Sequence, residues 1–161
     1  MSRLEDMSNR FLTQLAALDR AVELIGPTEG IVVELGLGKG RSFDHLRERL
    51  PERKIYVFDR ELSCEPEFAP PSEFRVFGEI TSTLPAFCRR FAGQAALVHS
   101  DLGTRHRVKD IPLVEFVAGN LDRLLKRGAV VASDRPMENA RWTRLPELPE
   151  MEHFPYYMYR K

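Results

Sequence analysis

The run IVVEL (Ile31–Leu35), followed at once by GLGKG (residues 36–40), constrains this chain more than any other stretch. The run is β-branched and apolar except for Glu34, which suits a strand buried on both faces, as in a parallel sheet. Three glycines at alternate positions then allow a tight turn and a close approach of backbone to a ligand. The next segment, RSFDHLRERL, places Phe43, Leu46 and Leu50 on its inward face and stops at Pro51. A strand, a glycine turn and a helix in this order begin a unit whose next strand runs parallel to the first.

The alternation continues along the chain. Further strands are expected at KIYVFD (54–59), FRVF (74–77), residues 95–99 and AVVAS (129–133). A helix over 8–25 carries Phe11, Leu15, Leu18, Val22 and Ile25 on one apolar face. Another over 83–91 has Pro85 in its first turn, where a missing N–H costs little. A third over 111–126 carries Val114, Val117, Leu121, Leu124 and Leu125, with Gly128 as its cap. The stretch 60–72, with three prolines, and the polar stretch 101–109 read as loops. After Asp134 the pattern changes. RWTRL and YYMYR have no helix between them, only a loop with Pro146, Pro149 and Pro155, and so pair as an antiparallel hairpin. The sum is an α/β chain: a twisted, mostly parallel sheet with helices on both faces and an antiparallel edge. At 161 residues it is expected to form one domain, an N-terminal helix and cap (1–29) leading into a core (30–161).

Basic and acidic residues balance at 24 each, so charge supplies no reason to expect nucleic acid or an anionic membrane as partner. Cys64 and Cys88 form no CxxC pair. The first ten residues, MSRLEDMSNR, lack an apolar signal stretch, and no run approaches the roughly 20 apolar residues of a membrane span. A cytoplasmic protein is expected.

A dinucleotide site would require G-x-G-x-x-G. Counting from Gly36 puts Arg41 where the third glycine belongs, and counting from Gly38 puts Phe43 there, so both registers fail. The stretch instead reads acidic-x-G-x-G-x-G, with Glu34 two residues ahead of Gly36. With VVELGLGKGRSFDHL, YVFDRE, the strand–helix alternation and the terminal hairpin, the chain resembles the class I S-adenosylmethionine-dependent methyltransferases, trimmed to their catalytic core. Within that superfamily it is similar to a small bacterial family of methyltransferases of undefined substrate.

The resemblance implies a Rossmann-like, doubly wound sheet of order 3-2-1-4-5-7-6, with S-adenosyl-L-methionine as cofactor and S-adenosyl-L-homocysteine as product. It implies that Glu34 faces the cofactor's amino group, while Leu35, Gly36, Gly38 and Gly40 leave room for its methionine part and ribose. Asp59, beside Arg60, accepts the ribose hydroxyls, with Glu61 as runner-up. Gly78, Glu79 and Ile80 border the adenine. Ser100 and Asp101, where the fourth strand ends, border the methionine group and the acceptor. Asp101 is the first candidate for catalysis, with His106 and Asp134 behind it.

Each residue also has a plainer reading. Asp59 suits a solvated strand end or a helix cap, and Glu79 a surface carboxylate. His99, alternating with apolar residues, suits a packed or hydrogen-bonded core position. His106, between Arg105 and Arg107, reads first as a solvated loop residue and second as a general base near neutral pH. Asp101 and Asp134 end neighbouring strands, where metal-dependent O-methyltransferases of the catechol type hold magnesium. Arg135 beside Asp134 opposes a cation and suits a salt bridge, so no metal is assigned.

Asp101-Leu102-Gly103-Thr104 is not the Asp/Asn-Pro-Pro-aromatic motif that grips a planar amino group in many N-methyltransferases. The expected acceptor is therefore an O or N atom of a small molecule, with neither nucleic acid nor membrane as partner. Recognition falls to the first helix and to the loops 60–73, 101–110 and 134–140, or to a second subunit, since a homo-oligomer is expected. Trp142 and Tyr156 either cover the sheet edge or serve the hairpin core. Two competing readings are a non-catalytic subunit that binds the same cofactor and, against the glycine spacing, an NAD(P)-dependent reductase.

Overall fold

The computed structural model describes residues 1–104 and 106–161. Helix α1 spans Arg3–Ile25 and leads into strand β1 (Ile31–Leu35), helix α2 (Arg41–Arg49) and strand β2 (Ile55–Asp59). After two short 3-10 turns come β3 (Arg75–Phe77), α3 (Ile80–Arg90), β4 (Ala95–Ser100) and α4 (Arg107–Leu124). The chain ends with β5 (Leu125–Ser133), β6 (Thr143–Arg144) and β7 (Tyr157–Arg160). The strands form one sheet in the order β3-β2-β1-β4-β5-β7-β6. β1 to β5 are parallel, and β7 runs antiparallel to both β5 and β6. This is the expected topology, hairpin included.

Both faces of the sheet are covered, which is why β1 and β4 are buried at every position. Val33, Leu35, Val98 and Val131 pack against α3 and α4 through Leu84, Phe87, Val117 and Leu121. Val32, Leu97, Val130 and Ala132 pack against α1 and α2 through Ala17, Leu18, Phe43 and Leu46. Trp142 lies in the first cluster and Tyr156 in the second, so both serve the core.

Four local expectations are corrected. First, α1 begins at Arg3, because Ser2 and Glu5 form a reciprocal capping box (Glu5 N to Ser2 Oγ 3.1 Å, Ser2 N to Glu5 Oε2 2.5 Å). Second, its buried face is Thr13, Gln14, Ala17, Leu18, Ala21 and Ile25, whereas Phe11 and Leu15 are 39% and 44% exposed. The small Ala17 and Ala21 let the helix backbone settle on the sheet, and the larger residues are turned away. Third, α3 starts at Ile80, which moves Pro85 from the first turn into the helix body. Fourth, α4 runs directly into β5, so Gly128 is no cap. It lies within β5 at φ +82°, its N–H donating to Lys161 O at 2.7 Å.

Candidate active site

A cleft of about 640 Å³ opens where β1, β2 and β4 end, the edge at which parallel α/β sheets bind ligands. The glycine turn forms its floor, the end of β2 and the start of α3 one side, the residues after β4 the other. Helix α1 supplies a wall through Arg10, Phe11 and Gln14.

The glycines of the turn serve different purposes. A Cβ on Gly36 (φ +94°) would lie 2.7 Å from the Asp101 carbonyl oxygen, so this position lets the ends of β1 and β4 pass closely. A Cβ on Gly38 (φ +51°) would meet nothing within 4 Å, and this glycine borders the cleft. Gly40 backs onto Phe68 of the loop after β2 and does not line the cleft.

Asp59 ties the turn down. Its Oδ2 accepts the N–H groups of Leu37 (2.9 Å) and Gly38 (3.0 Å), and its Oδ1 accepts Arg60 N–H (2.7 Å). A carboxylate offers about four acceptor positions, so one remains on Oδ1, beside the open Gly38. Next to it, Arg60 Nε reaches Glu79 Oε1 at 3.1 Å across the mouth, and Ile80 opens α3.

Glu34 is fully buried behind the cleft. Ser42 Oγ donates to its Oε1 (2.5 Å), and His99 Nδ1 lies 2.7 Å from its Oε2. His99 Nε2 meets the Tyr156 hydroxyl at 2.5 Å. Burial is the largest influence on His99 and opposes a charge, but the Glu34 carboxylate, joined by the charges of Asp101 and Asp134, raises the imidazole above its usual range. Burial, with the Asp101 charge, holds the Tyr156 phenol well above its own, so it keeps its proton. Gln14 Nε2 bridges from the Tyr156 hydroxyl (3.4 Å) to Asp101 Oδ2 (3.1 Å). Arg10 Nη2 lies 2.8 Å from both Asp101 oxygens.

The remaining candidates lie elsewhere. Asp134 is 3% exposed and bound by Arg135 Nη1 (2.9 Å) and the Gly103 amide (3.3 Å). Arg135 also donates to the Thr104 carbonyl and to Asp110 Oδ2 (2.9 Å), locking the loop after β4 onto α4. A Cβ on Gly103 would lie 2.0 Å from Asp134 Oδ2, so only glycine fits over this pair. Burial and the Asp101 charge push Asp134 up to about 6. His106 is exposed at the start of α4, and its neighbour Arg105 lies outside the described residues.

The structure thus brings Gly36, Gly38, Asp59 and Arg60 together with Gly78, Glu79, Ile80 and Asp101 around one cleft. It places Glu34, Leu35, Gly40, Ser100, His106 and Asp134 off its surface. Among the described residues no three His, Cys, Asp or Glu side chains gather as a metal-ligand set, and no helix is long and apolar enough to cross a membrane. Arg10 and Gln14 escaped the sequence reading. Their spacing of four puts them on one helical face, but only the docking of α1 makes that face a wall of the cleft.

Comparison with known proteins agrees with this geometry. The profile of a family described as S-adenosyl-L-methionine methyltransferase matches residues 1–161. The crystal structure of an S-adenosyl-L-methionine methyl transferase from Silicibacter pomeroyi DSS-3 is 34% identical, covers 99% of this chain and 98% of its own, and superposes with a TM-score of 0.92. The fold is shared with the SAH-bound methyltransferase PaMTH1 of Podospora anserina (16% identity, 99% and 79% coverage, TM-score 0.55). It is shared too with a Corynebacterium glutamicum protein (13% identity, 93% and 80% coverage, TM-score 0.56). A search of curated proteins finds no match.

Proposed function

Because this chain belongs over its full length to the S-adenosyl-L-methionine methyltransferase family, we propose that the cleft holds S-adenosylmethionine along the glycine turn and delivers its methyl group to an O or N atom of a small molecule. The observation that carries the placement is Asp59. It ends β2, leaves one acceptor position on Oδ1 and stands beside Gly38, where no side chain fills the space. A ribose hydroxyl supplies the missing donor. Glu79 and Ile80 take the adenine, the first by its carboxylate and the second by its apolar side chain. Gly78, directly after β3, lines the cleft beside them.

When bound, the cofactor supplies a methyl carbon on a positively charged sulfur, so its thioether leaves without further activation. What the chain contributes is alignment and exclusion of water. Leu102 and Leu113 give the cleft apolar walls, and Phe11 and Met7 of α1 extend them toward the rim. Of the three candidates for catalysis, Asp101 alone borders the cleft; His106 and Asp134 do not. Asp101 is therefore the one of the three that can touch the bound cofactor or its acceptor. Exposed Leu4, Leu12 and Leu15 along α1 support a homo-oligomer, and the free thiols of Cys64 and Cys88 suit a reducing, cytoplasmic compartment.

Isothermal titration calorimetry tests the reading. S-adenosylhomocysteine is expected to bind at micromolar affinity or tighter, and NADPH not to bind. Tight NADPH binding without a response to either methionine cofactor overturns it.

A further inference from the structure

Arg10 crosses from α1 to the end of β4, 91 residues along the chain, to reach Asp101. One nitrogen, Nη2, serves both carboxylate oxygens at 2.8 Å. That is half of what a guanidinium fork offers, since two parallel N–H donors normally grip a carboxylate. Arg10 Nη1 and Nε have no partner among the described residues. Both side chains border the cleft, Asp101 with 16% of its side chain exposed and Arg10 with 41%. The other charges around the cleft are already engaged or lie further along it. Arg60 pairs with Glu79 at the adenine side, Lys39 donates to Ser63 O at 3.0 Å, and Arg41 lies over the Phe11 ring at 5.2 Å. Glu34, which the family resemblance assigns to the cofactor's amino group, has both oxygens committed to Ser42 and His99.

Resting on the cofactor reading above, we propose that Arg10 and Asp101 are the docking pair for the amino-acid end of the cofactor. The α-ammonium takes the Asp101 carboxylate, and the α-carboxylate takes the place of Asp101 on Arg10, across a fork edge made by Nη2 with Nη1 or Nε. Gln14, donating to Asp101 Oδ2 and braced on Tyr156, keeps the carboxylate oriented. Inserting a zwitterion exchanges one internal ion pair for two, and the guanidinium gains the parallel geometry it lacks. The N-terminal helix is then part of the cofactor site, and Asp101 takes over the role expected of Glu34. The cleft accordingly distinguishes thioethers with the amino-acid end from those without it.

Calorimetry with two thioethers tests this on the full chain: S-adenosylhomocysteine, and 5′-methylthioadenosine, which lacks the amino-acid end. Loss of a charge-assisted contact is expected to weaken S-adenosylhomocysteine about tenfold or more in Arg10→Ala and Asp101→Asn. Methylthioadenosine affinity is expected to stay within about twofold of wild type. Arg10→Lys, which keeps the charge without the fork, recovers part of the loss. Thermal unfolding of each variant confirms that α1 remains docked. Equal losses for both thioethers, or no loss for S-adenosylhomocysteine, overturn the docking pair alone. A wild-type protein that binds neither thioether overturns the cofactor reading and the pair with it.

Discussion

His99 Nδ1 lies 2.7 Å from Glu34 Oε2, and the two residues are register partners on β4 and β1, fully buried at the centre of the sheet. Removing one partner leaves a buried charge uncompensated, at a cost of about 3–5 kcal/mol. His99→Leu is expected to lose about that much stability in urea unfolding. The double variant Glu34→Leu/His99→Leu should lose less than the sum of the singles. Strict additivity shows that the two side chains do not act as a pair.

Asp59 holds three backbone N–H groups and, by our reading, a ribose hydroxyl. Asp59→Ala leaves the Leu37, Gly38 and Arg60 amides to water and removes the ligand contact. A charge-assisted hydrogen bond contributes about 1.5–3 kcal/mol. S-adenosylhomocysteine affinity is therefore expected to fall at least about tenfold in calorimetry. Unchanged affinity refutes the ribose assignment.

Asp134 gives the fold a pH dependence of definite sign. Burial and the Asp101 charge raise it from 3.8 to about 6, against Arg135, the Gly103 amide and His99. Between those values the folded state holds the proton and the unfolded state has released it, so rising pH lowers stability. The difference between those two values corresponds to about 3 kcal/mol. The unfolding free energy of wild type minus that of Asp134→Asn is expected to fall by up to this amount from about pH 4 to about pH 7. A difference that stays level across the range rejects the raised value.

Gly103 carries no side chain because Asp134 Oδ2 and Arg135 Cζ occupy the space, 2.0 and 2.3 Å from where a Cβ would sit. Gly103→Ala is expected to cost about 1–3 kcal/mol through overpacking, seen as a lower melting temperature. A melting temperature equal to wild type shows that the loop after β4 yields freely.

Much of the fold was legible because its signals are local. IVVEL, the alternate glycines and the helix that follows need only a few residues of context, and so did the terminal hairpin without a helix between its strands. The candidate site was legible where a residue's role follows from its position at a strand end. Asp59, Glu79, Ile80 and Asp101 all reach the cleft. The displaced boundaries have local causes as well: the Ser2–Glu5 capping box starts α1 ahead of its apolar periodicity, and Gly128, a helix stop by residue type, sits inside β5.

What the sequence by itself determined is the succession of elements and the acidic strand ends that face the cleft. Periodicity also showed which α1 residues share a face, but not which face the sheet would cover. That was decided by close packing of Ala17 and Ala21, which left Phe11 to line the cleft and Leu15 in solvent. Only the tertiary structure withdrew Glu34 onto His99 and Ser42, closed Asp134 onto Arg135, and brought Arg10 to Asp101. Those pairings depend on which charges meet once separate segments dock, because a buried charge must find a partner and the chain supplies several.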